Sequence, residues 1–359
     1  MVRIFLTGAT GYIGGQALHT IASSLPATDT VISCLCRDPD KAQQVKNAYP
    51  DHVQTVVGDL DNDGLIESQS QQADIVFREL TPFSHGKCAR PLINVLSDLA
   101  STNHLASAQA ISRGLSKKPD GSISYWIQMS GATLFAISEI KEGRYGESSN
   151  QIYDDLRDTE KILATIRNNP SRSVDNLIIA QDWSRIRTGL IVGPLIYGPG
   201  AGPVNRRSIQ VPEIVKTTLS YGDGFRFAKG LNRWSNINIS DLGDLFLRLA
   251  QASLKGKTDG WNKEGIYLPA QGDMSFGEVY ERVAQAAYDQ NLIESPKVQR
   301  TIDVDGANEA TSHGAVLWGT NAVFSSERAQ KILGWQPSAP SLAADIPETV
   351  RAEARRLRH

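Results

Sequence analysis

The feature that most limits how this chain can fold is a glycine loop placed almost at its start. Val2–Leu6 is a short β-rich run that leads into Thr7-Gly8-Ala9-Thr10-Gly11-Tyr12-Ile13-Gly14. Tyr12 to about Ser24 follows with helical spacing, and Ile13, Ala17, Leu18 and Ile21 share one stripe. In a strand–loop–helix unit, Gly8 allows the tight turn and Gly11 lets the backbone approach a diphosphate. Gly14 lets the helix pack on the sheet. Free N–H groups and the partial positive charge at the helix N-terminus then favour phosphate. In this context the loop predicts a dinucleotide site.

Strand and helix signals alternate beyond it. Val31–Cys36, Val53–Val57, Ala73–Phe77 and Ser122–Met129 read as strands two to five. Helices are expected at Ala89–Leu99, Ala106–Gly114 and from about Asn150 to Asn168, stopped by Pro170; Asn176–Ile179 with Ser184–Ile191 would supply the sixth strand. Such alternation predicts an α/β class with a doubly wound parallel sheet of Rossmann type. The stretch from Gly193 to Pro203 is dense in Gly and Pro and reads as the passage into a smaller C-terminal substrate lobe. The expected division is residues 1–192 for the dinucleotide-binding domain and 193–359 mainly for the lobe, with a return to the sheet around 234–252. Further helices are expected at Val211–Leu219, Leu242–Ala252, Phe276–Tyr288 and Ser326–Leu333, and the basic tail Arg351–His359 is expected to fray.

The end of the second strand discriminates between cofactors. An NAD site usually carries an acidic residue about 20 positions beyond the loop, bonded to the ribose 2′-hydroxyl. Here Arg37 stands twenty-three residues after Gly14, with Lys41 four residues later. A guanidinium pairs with a 2′-phosphate through charge-assisted bonds. NADP(H) is therefore expected, with NAD(H) second because Asp38 is adjacent.

Bulk properties exclude several classes. A formal net charge of -2 gives no reason to expect nucleic acid or a membrane surface as partner. No window approaches the roughly 20 apolar residues of a membrane span, and Val2–Leu6 feeds straight into the loop with no leader-like segment. Cys34 and Cys36 share a strand face and, with Cys88, read as buried free thiols of a reducing compartment, so a cytoplasmic location is expected. The six histidines are scattered, so no metal site is expected, and no Gly-x-Ser-x-Gly elbow supports a hydrolase.

These residues resemble the extended and atypical short-chain dehydrogenase/reductases, especially the NmrA-like and dihydroflavonol-reductase-like branch. The opening motif through Gly15, Arg37-Asp38-Pro39, Gly58-Asp59-Leu60, Asn238-Ile239-Ser240-Asp241-Leu242 and Lys331-Ile332-Leu333-Gly334-Trp335-Gln336-Pro337 carry the likeness across nearly the whole chain. The resemblance implies that Gly8, Thr10, Gly11, Tyr12, Ile13 and Gly14 hold the dinucleotide. It places Asp59 and Leu60 at the adenine, and Leu80 beside the cofactor, in the segment Arg78-Glu79-Leu80-Thr81 where relatives carry small residues. It also implies catalysis by Ser/Thr, Tyr and Lys, with Ser130 and Tyr153 at the first two positions. Arg157 stands where the Lys is expected and would share the cofactor contact with Tyr153. It keeps the charge but cannot relay a proton, and Lys161, one turn on, is a substitute.

His85 lies just after strand four, on the side where doubly wound sheets bind ligands. Tyr197, Asn205 and Trp234 are further candidates to line a substrate cleft. Trp234 falls where sugar-nucleotide epimerases of this family carry a phosphate-binding arginine, which argues for an aromatic or apolar substrate, although Arg233 is adjacent. The expected activity is an NADP(H)-dependent oxidoreductase reducing a small metabolite. The alternatives are a catalytically silent NmrA-like binding protein and an epimerase or dehydratase with a tightly held cofactor. A small molecule is the expected partner, and a homodimer is left open.

Overall fold

The structure, a computed structural model, describes residues 1–79 and 104–358. In chain order the strands are β1 (Val2–Thr7), β2 (Thr30–Cys36), β3 (Val53–Val57), β4 (Ile75–Arg78), β5 (Ser124–Gly131), β6 (Ile152–Asp154) and β7 (Ile186–Gly193). Then follow β8 (Leu195–Tyr197), β9 (Gly224–Phe227), β10 (Arg233–Asn238), β11 (Ile266–Tyr267), β12 (Gly272–Ser275), β13 (Val298–Ile302) and β14 (Val323–Ser325). The central sheet has the order β11-β7-β5-β4-β1-β2-β3 and is parallel throughout. Three smaller sheets join β12-β10-β8, β13-β9 and β14-β6.

The alternation of side chains along each strand builds two cores, one per face. Ile4, Leu6, Ile32, Cys34, Ile75, Phe77, Ile127 and Met129 pack under helix α1 (Tyr12–Ser24) and the helix Ile239–Leu254. Phe5, Val76 and Trp126 face the opposite way, against Ala108, Ile111 and Leu115 of the helix Leu105–Ser116. Cys34 and Cys36 are buried free thiols, and burial pushes the Cys36 thiol up to about 11. The seventh strand of the sheet, β11, comes from the C-terminal half of the chain. The two late motifs meet: the Trp335 indole donates to the Asp241 carbonyl at 2.9 Å, and the Asp241 carboxylate accepts from the amides of Ser338 and Ala339.

Three elements differ from expectation. The helix expected over Asn150–Asn168 begins only at Thr159; Ile152–Asp154 is instead strand β6, paired with β14 some 170 residues downstream. A β-branched residue beside an aromatic suits a strand, but the partner that decides the matter is remote in sequence. Asn176–Ile179 belongs to the helix Ser173–Ile179, whose Val174 and Ile178, four apart, are both buried, and the sixth strand is β7 alone. The tail is helical as far as Arg356: Leu342–Arg356 forms one helix, and buried Glu353 is clamped by Arg207 and Arg356. The helix expected over Ala89–Leu99 lies outside the described residues.

Candidate active site

The sheet reverses direction of build between β1 and β4, which puts the open crevice of a doubly wound fold at the carboxyl ends of these two strands. The glycine loop occupies that point. Gly8 has φ +80°, a conformation that side chains rarely adopt. A Cβ on Gly14 would stand 2.3 Å from the Gly8 carbonyl oxygen, so the helix can seat here only without a side chain. Gly11 leads into α1 in an extended conformation with no side-chain cap, and the first helical amide bond is Gly15 N–H to Gly11 carbonyl at 2.9 Å. The amides of Tyr12, Ile13 and Gly14 thus face the loop with no acceptor inside the helix. Those free donors and the positive end of α1 fit a diphosphate. The Tyr12 phenol points elsewhere, donating to the Gly198 carbonyl at 2.6 Å, so only its backbone can serve the loop. Thr10 and Ile13 are half-buried beside it.

Beyond β2, Asp38 caps the helix α2 (Pro39–Ala48), accepting the amides of Asp40 and Lys41. Its carboxylate is therefore already engaged. Arg37 and Lys41 are exposed, and among the described residues no carboxylate pairs with either side chain. Beyond β3, Asp59 is exposed and Leu60 is half-buried against the core. Leu80 and His85 lie outside the described residues.

The end of β5 holds a buried polar network. Ser130 is 2% exposed and its hydroxyl donates to the Asp175 carboxylate at 2.9 Å. Arg172 stands 3.7 Å from the same carboxylate and donates to Thr133. Burial pushes the Asp175 carboxyl up, and Arg172, Ser130 and Arg78 offset this. The buried Arg78 donates to the Gln128 side chain, the His104 carbonyl and the Ser107 hydroxyl, and burial lowers it to about 9. Ser130 thus sits where the sequence puts it, at the end of strand five, but its hydroxyl is committed to a carboxylate.

Tyr153 lies on β6, not at a helix start. Its ring stacks on Phe135 with centroids 4.1 Å apart. Burial raises its phenol above the ordinary value, and the Asp158 and Glu139 carboxylates add to the shift. Arg157 does not join it: its guanidinium, 75% exposed, turns to Glu327 at 3.2 Å and Asp154 at 3.9 Å. The cation over Tyr153 is Lys161, with Nζ 4.7 Å from the ring centroid. Tyr197 and Trp234 are both buried, with their polar atoms bonded within the protein. Tyr197 is buried and donates to Gln271 and the Pro340 carbonyl, and Trp234 is buried with its indole N–H on the Thr320 carbonyl. Asn205 is exposed and bonds the Arg207 amide, and the Arg233 guanidinium pairs with Asp273.

Two features escaped the sequence reading. Asp175 stands one residue before a stretch read as strand and lies in the helix Ser173–Ile179. Glu79, the residue after β4, is fully buried against Gly8 and Gly14. Strand alternation from Ile75 and Phe77 would have put it on the α1 face.

No protein-family model matches the chain. It is 29% identical to the oxidase ucsJ of an Acremonium species over 366 aligned positions, covering 99% of this chain and 98% of that protein. Among solved structures, it is similar to DesIV, the dTDP-glucose 4,6-dehydratase of Streptomyces venezuelae with NAD and TYD bound. There the TM-score is 0.65 and the identity 16%, over 99% of this chain and 98% of that one. A mutant UDP-glucuronic acid 4-epimerase of Bacillus cereus, in complex with UDP-4-deoxy-4-fluoro-glucuronic acid and NAD, gives a TM-score of 0.61 and 14% identity, over 99% of both chains. These likenesses show the fold, a doubly wound α/β arrangement of Rossmann type around a parallel central sheet. Among the described residues there is no cluster suited to a metal ion, and no helix is long and apolar enough to cross a membrane.

Proposed function

We propose that the chain is an oxidoreductase that uses a nicotinamide dinucleotide, with NADP(H) preferred, to reduce a small aromatic or apolar metabolite. The observation that carries the cofactor preference is at the end of β2. Asp38 is consumed as a helix cap, while Arg37 and Lys41 stand without carboxylate partners among the described residues. The oxidase to which the chain is similar along its full length supports a redox activity.

The dinucleotide, when bound, supplies or accepts a hydride. The chain's own part begins with the amides of Tyr12, Ile13 and Gly14, which hold the diphosphate, and with Arg37 and Lys41, which take the 2′-phosphate. Tyr153 is the proton donor: its raised value keeps the phenol protonated through neutral pH, which suits an acid in the reducing direction. Lys161 holds the ring from above.

A nucleotide-sugar substrate fits poorly, because Trp234 is buried and Arg233 already has Asp273. That weighs against an epimerase or dehydratase. A second reading, a dinucleotide-binding protein without turnover, draws support from Ser130 being tied to Asp175 and Arg157 turning away. Titration with NADPH and NADH, followed by NADPH consumption against a panel of aromatic and aliphatic carbonyls, tests both. Saturable binding with turnover supports the enzyme, and binding alone supports the second reading. No saturable binding of either nucleotide would end both.

A further inference from the structure

Glu79 is a carboxylic acid in an unusual place. It follows β4 at the reversal point of the sheet. Its Cβ is 2.9 Å from where a Cβ on Gly8 would be and 3.2 Å from where one on Gly14 would be. Its carbonyl accepts the Thr7 hydroxyl at 2.9 Å, which fixes the backbone against β1. The residue is 3% exposed, and Oε1 has no hydrogen-bond partner. A buried carboxyl is thus packed against the first and last glycines of a loop whose free amides suit a diphosphate.

Among the described residues, the surroundings supply no counter-charge. From β1 it meets Thr7 and Gly8, and from α1 it meets Gly14, none of them ionisable at physiological pH. Tyr12 on the same helix is turned to the Gly198 carbonyl. Arg78, its neighbour on β4, points to the other face of the sheet and is bonded to Gln128, His104 and Ser107. Gln128 and Met129 on the adjacent strand β5 are neutral.

Resting on the dinucleotide reading above, we propose that Glu79 makes dinucleotide binding proton-linked: the glycine loop accepts the diphosphate while this carboxyl is neutral and resists it once the carboxyl is charged. Burial drives the carboxyl well above its ordinary range, which favours the neutral form. Ionised, it would set a negative charge beside the diphosphate in a medium that screens poorly, and it would compete for the positive end of α1. Glu79 acts through the loop, so it is a positioning residue for the cofactor.

The test is direct binding of NADH to the full chain between pH 6 and 10, read by nucleotide fluorescence and by calorimetry. NADH is used because it lacks the titrating 2′-phosphate. In the wild-type chain the affinity is expected to fall by up to tenfold per pH unit once Glu79 ionises. In that range, calorimetry in two buffers of different ionisation enthalpy should show uptake of close to one proton per NADH bound. Glu79→Gln, a neutral isostere, should flatten the profile. Glu79→Ala, which removes the acid without adding a buried amide, should flatten it as well and serves if the glutamine variant does not fold. Saturable binding by the wild type with no proton uptake anywhere in this range overturns the inference alone, and so does the same pH slope in the variants. Absence of saturable binding at every pH sinks the dinucleotide reading itself.

Discussion

Lys161 holds its ammonium 4.7 Å over the ring of Tyr153, while Arg157, four residues from the tyrosine, turns outward to Glu327. The cation over the tyrosine ring thus stands eight residues along the chain rather than four. The reason is local. Tyr153 lies on β6, Thr159 begins the helix, and Lys161 is in its first turn.

Replacing Lys161 with Met should slow hydride transfer about tenfold or more, whereas Arg157→Met should leave it near the wild-type rate. Tyr153→Phe should cost about 10²- to 10⁴-fold, the usual worth of a positioned general acid. Single-turnover oxidation of NADPH with a reducible substrate measures all three. Because burial and two carboxylates hold the phenol protonated, the wild-type rate should stay level through neutral pH and fall only as Tyr153 ionises, above the ordinary tyrosine range. Full activity in Tyr153→Phe would remove the phenol from the mechanism.

Ser130 and Asp175 make the opposite case, a pair whose first role is structural. Ser130→Ala would leave the buried Asp175 carboxylate short of a donor beside Arg172. The expected loss is about 1–3 kcal/mol of stability, the cost of an unmet buried acceptor. Denaturant unfolding should show it, with dinucleotide affinity unchanged. A stable variant with slowed turnover would instead return Ser130 to the chemistry.

What the sequence disclosed follows from how far apart the deciding residues lie. The loop from Gly8 to Gly14 is a local device, its glycines forced by contacts within a few residues or with the adjoining strand, so its pattern is readable. The alternation of strands and helices is likewise local, and the parallel, doubly wound class of the sheet follows from it. Strand β6 was not readable, because its identity rests on pairing with Val323–Ser325. The fate of Ser130 rests on Asp175, forty-five residues away, and that of Tyr197 and Trp234 on acceptors at Pro340 and Thr320. An aromatic in a Gly- and Pro-rich or strand-like stretch looks the same in sequence whether it lines a cleft or fills a core.

Arg37→Ala tests the cofactor preference. Charge-assisted hydrogen bonds are worth about 1.5–3 kcal/mol, so the ratio of NADPH to NADH affinity should fall about ten- to hundredfold, with NADH binding little changed. Lys41→Ala should act in the same direction and less strongly. Equilibrium titration with both nucleotides reads the ratio directly, and an unchanged ratio in Arg37→Ala would remove the guanidinium from 2′-phosphate recognition.

Asp155 gives a prediction about pH and stability. Its carboxylate accepts the amides of Glu327 and Arg328 at 2.9 and 2.8 Å and of Leu268 at 3.2 Å, while the Arg328 guanidinium donates to its carbonyl. One residue thereby ties β6 to the segment after β14 and to the end of β11. Burial pushes this carboxyl up to about 6, the amides and Arg328 pulling the other way. In the unfolded chain an aspartate titrates near about 3.9. The native state therefore binds the proton more tightly. The stabilisation linked to that proton is fully present below about pH 4 and is lost as pH rises through 6. Asp155→Asn cannot titrate, and its amide places a donor where Leu268 needs an acceptor, so the variant should be less stable at every pH. The gap between wild type and variant, from urea unfolding at pH 4 to 7.5, should narrow by up to about 3 kcal/mol, roughly two pKa units at 1.36 kcal/mol each, and then level off. A gap that stays constant across that range would mean the carboxyl is already ionised at pH 4, with the three amides outweighing its burial.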